Sequence, residues 1–296
     1  RYSPAMATNT TVREAKTAGG EMRDKFPARA FIQVFEKGNL PGDYALVAAE
    51  MKALGVPVVT KETDDILIDP LPLTRKDLVV GNFDWTRIAL KQFDIPMPQP
   101  PDYPKCLEHL LHRKIWRSTM GEVQSFLKSA KNKMSQVFIK PAAHAKIFAA
   151  IIEPKDQMLD TLLAGVPGVM KALPPSTPVY CAELIDMVSE FRAYVVNGEI
   201  RALCQYRGPR PGDKDHVELD MKVVKDAVRT LCESGEGRHL KGCGVDFAVI
   251  RKEGKFITCL IEVNDGYSLG RYEGVSGKDY TDLLVARWHE LMVAEK

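Results

Sequence analysis

The sequence has 296 residues, of which 45% are hydrophobic and 27% are charged, and its formal net charge is +2. This composition is typical of a globular protein with one large domain or two smaller ones. The near-neutral charge gives no general attraction to nucleic acid or to an anionic membrane, and no apolar run is long enough to cross a bilayer. The six cysteines lack Cys-x-x-Cys spacing, which favours reduced thiols. We therefore expect a cytoplasmic protein with neither a nucleic-acid nor a membrane partner.

The first third of the chain alternates between strand and helix patterns. Residues 1–25 are polar and irregular, which predicts a flexible tail. Over residues 26–95, β-rich runs are separated by apolar residues at helical spacing, which predicts a small parallel sheet with packed helices. The predicted strands are Ala30–Phe35, Val56–Thr60 and Leu78–Gly81, and the helices begin near Tyr44 and Asp84.

A proline-rich stretch separates this region from the rest of the chain. Residues 96–104 contain five prolines, which predict an extended, semi-rigid connector and a domain boundary. Beyond it, leucines at helical spacing predict a helix over Lys105–Arg117. A second helix is predicted to begin at Thr119, with Glu122 completing a capping box.

The second half of the chain is dominated by strand patterns. Two hairpins are predicted, with turns at Asn197-Gly198 and Glu253-Gly254, because short turns of this kind join alternating apolar runs. The other predicted elements are strands Val137–Lys140, Lys146–Ile152 and Tyr180–Ile185, and helices Val217–Cys232 and Tyr280–Glu295.

The last hairpin carries a candidate metal site. Glu262 and Asn264 are two residues apart on one strand, so their side chains share a face, and Asp246 on the partner strand can face them. Two carboxylates and an amide oxygen suit Mg²⁺, which prefers hard oxygen ligands. The alternative is a solvated strand face. The apolar flanks favour the metal, because carboxylates in such a run require a cation.

Four segments together resemble the ATP-grasp fold. They are VFIKPAAHAKIF (137–148), AELIDMVSEFRAYVVNGEIRALCQYRG (182–208), GVDFAVI (244–250) and LIEVNDG (260–266). More narrowly, they resemble the ATP-grasp clade named for an arginine and two lysines. The resemblance implies an α/β protein with a Rossmann-like domain over residues 26–95. It also implies an ATP-grasp domain with mostly antiparallel sheets over residues 105–296.

The resemblance also implies an ATP site. Arg192 is similar to the clade's arginine and is expected to contact the γ-phosphate or the substrate carboxylate. Arg113 and Lys114 are alternatives for the first basic residue at the phosphates, and the sequence leaves this choice open. Further expected ATP contacts are Lys140 and Lys146 to phosphate, Glu183 with the backbone of Leu184 and Ile185 to adenine, and Glu190 to ribose.

Three further residues are candidates for substrate binding. Arg207 and Arg210 lie in a basic, proline-braced loop that suits an acidic acceptor, although such a loop is also compatible with an ordinary basic surface. Ser268 follows the candidate metal strand and is a candidate for positioning substrate. One departure from the family is residues 142–145, Ala-Ala-His-Ala, where many ATP-grasp enzymes have a glycine-rich loop.

The implied activity is ligation of a carboxylate to an amine, with ATP and two Mg²⁺ ions as cofactors. The carboxylate would attack the γ-phosphate to give an acyl phosphate, and the amine would then displace phosphate. The substrates are small molecules or peptides. The alternatives are a nucleotide-binding module without turnover and a small-molecule kinase on the same fold.

Overall fold

The computed structural model describes residues 27–35, 38–64, 69–129, 134, 136–142, 149–152 and 174–294. In the N-terminal third of the chain, three parallel strands form a sheet with the first strand in the middle, which confirms the predicted parallel sheet. The second helix begins after Asn82, whose side chain accepts a hydrogen bond from the backbone N–H of Trp85. The elements are β1 (Arg29–Val34), α1 (Gly42–Ala53), β2 (Val58–Glu62), β3 (Asp77–Val80) and α2 (Phe83–Lys91).

The helix predicted over Lys105–Arg117 is wrong. Residues Lys105–Leu110 form a short 3₁₀ helix, and Ile115–Thr119 form strand β4. Between them, His112 has a left-handed φ of 50°, which ends the helical path. Strand β4 pairs with β7 (Pro178–Ala182), so a partner far along the chain overrides the local helical spacing.

Strand β4 belongs to an antiparallel sheet of order β4-β7-β5-β6. Helix α3 (Met120–Lys128) follows it, and the predicted capping box between Thr119 and Glu122 is confirmed. Strand β5 (Val137–Pro141) ends next to the candidate Lys140, and β6 is Ala150–Ile152.

A second antiparallel sheet has the order β11-β10-β8-β9. Both predicted hairpins are confirmed. Each turn has two residues with positive φ, 51° and 83° at Asn197 and Gly198 and 51° and 75° at Glu253 and Gly254. The remaining elements are β8 (Asp186–Val196), β9 (Glu199–Arg207), α4 (Met221–Glu233), β10 (Gly242–Lys252), β11 (Lys255–Asp265) and α5 (Gly277–Val293).

Helix α5 packs into the same buried cluster as the N-terminal sheet. The Trp288 indole N–H donates to the carbonyl oxygen of Asp77 at 2.7 Å, and Arg75 donates to that of Met292 at 2.6 Å. A separate core under the second antiparallel sheet is closed by α4. No helix in the described ranges is both long and apolar enough to span a bilayer.

Candidate active site

A cavity of about 640 Å³ lies between the two antiparallel sheets and the N-terminal region. Its walls come from β5, from the four strands β8 to β11, from the connector and from the loop after β11. The sequence-predicted residues in the lining are Lys140, Glu190, Arg192, Arg207, Asp246, Glu262, Asn264 and Ser268.

The strand register brings the candidate metal ligands together. Asp246 on β10 lies opposite Glu262 on β11 and, on its other side, opposite Arg192 on β8. Residues opposite each other in neighbouring strands point to the same face, so three charged side chains meet there. The Asn264 side-chain amide shares this face and donates to Asp246 Oδ2 at 3.1 Å.

Arg192 and Asp246 form a buried, bidentate ion pair. Arg192 Nε and Nη2 each donate to one carboxylate oxygen of Asp246 at 2.7 Å. The Tyr272 ring lies 4.8 Å from the guanidinium carbon. Burial by itself lowers the pKa of Arg192, but the hydrogen bonds and charge of Asp246 outweigh it and raise the pKa. Arg192 is therefore a fixed cation in the cavity wall.

Lys140 bridges two carboxylates. Its Nζ donates to Asp102 Oδ1 and to Glu262 Oε2, each at 2.7 Å, and lies 4.4 Å from the centre of the Tyr103 ring. Burial lowers the pKa of Lys140, but the charge of Glu262 and that of Asp102 more than compensate, so the pKa is raised. The residue is only 7% exposed, and its ammonium stays charged at the cavity wall.

Glu190 lies at the cavity rim with two partners. Tyr206 Oη donates to its Oε2 at 3.1 Å, and Arg207 Nη1 donates to its Oε1 at 2.6 Å. Burial, with the charges of Asp246 and Glu190, raises the pKa of Tyr206. The Tyr206 ring also stacks on Tyr272, with centroids 4.4 Å apart.

Ser268 lies where the cavity meets the N-terminal region. Its Oγ donates to the carbonyl oxygen of Gly81 at 3.0 Å and shares a hydrogen bond with Thr86 Oγ1, also at 3.0 Å. Arg210 lies outside the lining, where its Nη1 donates to the carbonyl oxygen of Gln205 at 2.6 Å.

The residues expected near adenine and the first phosphate contact are engaged elsewhere. Arg113 donates to the carbonyl oxygens of Leu260 and Ile261 at 2.9 Å each, so it braces β11. Lys114 Nζ lies 5.6 Å from the centre of the Trp116 ring.

The ends of β4 and β7 are linked through Glu183. Its Oε2 accepts from the backbone N–H of Lys114 at 2.8 Å, and its own N–H donates to the Lys114 carbonyl oxygen at 3.0 Å. Leu184 is exposed and Ile185 packs on a small core cluster. The roles of these residues and of Arg113 stay predictions, and Lys146 lies outside the described residues.

Sequence reasoning missed Asp102, Tyr206 and Tyr272. Asp102 lies within the proline-rich connector, for which the sequence predicts only a spacer. The signal that could have found it is an acidic residue between Pro101 and the Tyr103-Pro104 pair, where a rigid backbone holds the carboxylate in place. No local pattern marks the two tyrosines, because their stacking depends on how the loop after β11 returns to β9.

Asp246, Glu262 and Asn264 could hold a hard cation such as Mg²⁺, although they do not form a cluster of three acidic, histidine or cysteine ligands. Within the ranges that the structure describes, no group of three or more His, Cys, Asp or Glu side chains is arranged to hold a metal. Asp246, Glu262 and the amide of Asn264 instead offer oxygen atoms only, as Mg²⁺ prefers, and Mg²⁺ is usually held by one or two carboxylates. Arg192 and Lys140 contact these carboxylates, so metal binding requires an exchange of partners.

A family model matches residues 110–283 and describes an ATP-grasp domain, the second family of the clade named for an arginine and two lysines. No curated protein gave a significant match. Among solved structures, D-alanine–D-alanine ligase from Bacillus anthracis, complexed with ATP, has a TM-score of 0.52 and 15% identity. The alignment covers 90% of this chain and 98% of that one. This likeness concerns the fold.

Two other solved structures have TM-scores just below 0.52. An ATP-grasp RimK domain protein from Sphaerobacter thermophilus has a TM-score of 0.49 and 14% identity, covering 88% of this chain and 99% of that one. The macrocyclase MdnC from Microcystis aeruginosa, bound with its precursor peptide MdnA, has a TM-score of 0.48 and 13% identity, covering 87% and 99%. The family model spans more than half of the chain and includes β8, β10 and β11, so the protein belongs to this ATP-grasp family.

Proposed function

We propose that the protein is an ATP- and Mg²⁺-dependent ligase that joins a carboxylate to an amine. The observation that carries the proposal is the set of alternating charges in the wall of one cavity, Lys140–Glu262 and Arg192–Asp246, in a member of the ATP-grasp family. Cations fixed in a partly enclosed cavity stabilise the negative charge that develops during phosphoryl transfer.

The metal would be held by Asp246, Glu262 and Asn264. When bound there, one or two Mg²⁺ ions supply positive charge to the phosphate oxygens of ATP. With the carboxylates bound to metal, the side chain of Arg192 would turn from Asp246 to the phosphates. Lys140 would stay in the cavity wall and contact a phosphate in place of Glu262. Lys146 is the proposed third phosphate ligand.

The reaction has two steps. The substrate carboxylate attacks the γ-phosphorus, which breaks the bond to ADP and forms an acyl phosphate. The amine then attacks the acyl carbon and releases phosphate, and a proton leaves the nitrogen. Arg192 is placed to orient the carboxylate or the transferring group, since its planar guanidinium can bind either one through two hydrogen bonds.

The remaining contacts divide between nucleotide and substrate. Glu190 is proposed to bind ribose, and Glu183 with the backbone of Leu184 and Ile185 to read adenine. Arg113 or Lys114 is proposed to give the first basic contact. For the substrate, Ser268 and Arg207 line the cavity and Arg210 lies beyond it. The two arginines are proposed to bind an acidic acceptor, either a small molecule or a peptide, and Ser268 to position the substrate.

Ligand binding is tested first by thermal and urea unfolding with ADP and Mg²⁺. A ligand at about 100 times its Kd stabilises the folded state by about 2.7 kcal/mol. We expect ADP and Mg²⁺ to stabilise the unchanged protein and Glu233→Ala, an exposed control on α4, by the same amount. Glu262→Ala should lose the part of this stabilisation that depends on Mg²⁺. Equal stabilisation of Glu262→Ala would contradict the metal site. No stabilisation of any variant would contradict the nucleotide site.

The reaction class is tested by trapping. With ATP, Mg²⁺ and a panel of carboxylates including acidic peptides, hydroxylamine converts an acyl phosphate into a hydroxamate. We expect carboxylate-dependent release of ADP with an equal amount of hydroxamate. A stable phosphorylated product without hydroxamate would identify a kinase, and nucleotide binding without turnover across the panel would favour a binding module.

A further inference from the structure

The connector supplies a carboxylate that the proposed function does not yet use. Asp102 is 8% exposed, and its Oδ1 accepts a hydrogen bond from Lys140 Nζ at 2.7 Å. The same ammonium donates to Glu262 Oε2, also at 2.7 Å. Lys140 therefore has two carboxylate partners, one from the connector and one from β11.

Asp102 is fixed by its backbone as well as by its side chain. Its φ of 41° lies in the left-handed region, which aspartate tolerates better than most residues but which still costs free energy. Its carbonyl oxygen accepts from the backbone N–H of Val263 at 2.8 Å, next to Glu262. Pro101 and Pro104 restrict the chain on either side. The connector is thus held against β11 where its carboxylate meets Lys140.

Glu262 has two uses that compete with each other. It is an ion-pair partner of Lys140 in this structure, and it is a proposed ligand of the metal. If Glu262 were the only carboxylate near Lys140, its transfer to a metal would leave a buried ammonium without counter-charge until a phosphate reaches it, which is strongly unfavourable. Asp102 avoids this, because Lys140 keeps one carboxylate after Glu262 turns away.

We infer that Asp102 is a positioning residue, which holds Lys140 in the cavity wall and thereby releases Glu262 to bind Mg²⁺. The inference deepens the proposed function and rests on it. Asp102 itself need not contact the metal or the nucleotide. Its effect on Mg²⁺ binding passes through the ammonium of Lys140, so the effect of substituting Asp102 should depend on whether Lys140 is present.

The measurement is the Mg²⁺ concentration that gives half-maximal binding of a fluorescent ADP analogue. In Asp102→Asn, Lys140 has Glu262 as its remaining carboxylate partner, so we expect the required Mg²⁺ concentration to rise about tenfold, the size expected for one charged hydrogen bond. Asp94→Asn is the matched control, because Asp94 is exposed and has a similar φ of 55°. Asp102→Glu, which keeps the charge, should recover part of the affinity.

A double-substitution cycle separates an effect through Lys140 from a direct effect of the Asp102 charge. Lys140→Met also removes the proposed phosphate contact, and this loss is common to both backgrounds. Its effect on the half-maximal Mg²⁺ concentration should therefore be more favourable in the Asp102→Asn background, where Glu262 is the remaining carboxylate partner of the ammonium, than in the unchanged protein. Asp102→Gly should reproduce the result of Asp102→Asn. Glycine adopts a positive φ without strain, so this second variant guards against misfolding.

Two results would overturn the inference by different routes. Additive effects of the Asp102 and Lys140 substitutions in a protein that binds ADP with Mg²⁺ would overturn the positioning role alone. An unchanged protein that binds no ADP at any Mg²⁺ concentration would overturn the proposed function, and the inference with it.

Discussion

The Arg192–Asp246 pair is the most deeply buried charge contact of the candidate site. The two residues are 7% and 3% exposed, and both donors of the guanidinium fork are used. A buried ion pair contributes little net stability compared with apolar residues of the same volume, but removal of one partner leaves an uncompensated charge. The pair is therefore compatible with the proposed exchange of the guanidinium for a metal at Asp246.

This asymmetry predicts the outcome of single and double substitutions. Asp246→Ala should lower the free energy of unfolding by about 3–5 kcal/mol in urea denaturation without ligand, because Arg192 stays buried without its counter-charge. The double variant Arg192→Met/Asp246→Leu should recover most of this loss. If the double variant is as unstable as Asp246→Ala, the loss of stability comes from packing and not from the unpaired charge of Arg192.

At the residue scale, the sequence predicted several of the strand residues that line the cavity. Glu262 and Asn264 follow from strand alternation. The turn alone would place Asp246 opposite Ile261, and a β-bulge between Asp246 and Phe247 shifts the register so that Asp246 lies opposite Glu262. Asp102 could not be predicted in this way. Its partner Lys140 is 38 positions away, and no regular element determines where the connector runs.

Whole elements also divide into those that local sequence determines and those that a distant partner determines. The turn at Asn197-Gly198 specifies its hairpin locally, so β8 and β9 were predictable. Strand β4 was not, since what makes it a strand is pairing with β7, where Arg117 lies opposite Tyr180, 63 positions later. Apolar spacing that suits a helix gave no indication of that partner.

Helix α5 approaches the start of β10 closely, at a glycine. A Cβ atom added at Gly242 would overlap the carbonyl oxygen of Leu283 and lie 3.0 Å from Arg287 Cβ. Gly242→Ala should therefore push α5 away from the sheet and lower the free energy of unfolding by about 1–3 kcal/mol. The measurement is urea denaturation monitored by circular dichroism.

Gly235→Ala is the control for this prediction. Gly235 is exposed, and a Cβ atom there would meet no atom within 4 Å. The control should change stability by no more than about 0.5 kcal/mol. Equal effects at the two glycines would show that the cost comes from the backbone and not from the contact with α5.

At the scale of the whole molecule, the N-terminal sheet and α5 share one buried cluster. Trp288→Phe removes the hydrogen bond to the carbonyl oxygen of Asp77 and should cost about 1–3 kcal/mol. Hydrogen–deuterium exchange should show faster exchange in both β3 and α5, with little change in β5 and β7. Trp116→Phe, on β4, is the control and should leave β3 unaffected.

Faster exchange confined to α5 would contradict this coupling. It would mean that the sheet keeps its stability without the indole contact. Exchange that rises everywhere would instead indicate one cooperative unit that includes the antiparallel sheets.

The contact between Trp288 and Asp77 also has a consequence during biosynthesis. The two residues are 211 positions apart, and the ribosome adds roughly 5–20 residues per second. The N-terminal sheet therefore leaves the ribosome at least about ten seconds before the helix that covers it. During that interval the part of the sheet that α5 covers lacks this helix, so the core of the first region to be synthesised is completed only by the last helix of the fold.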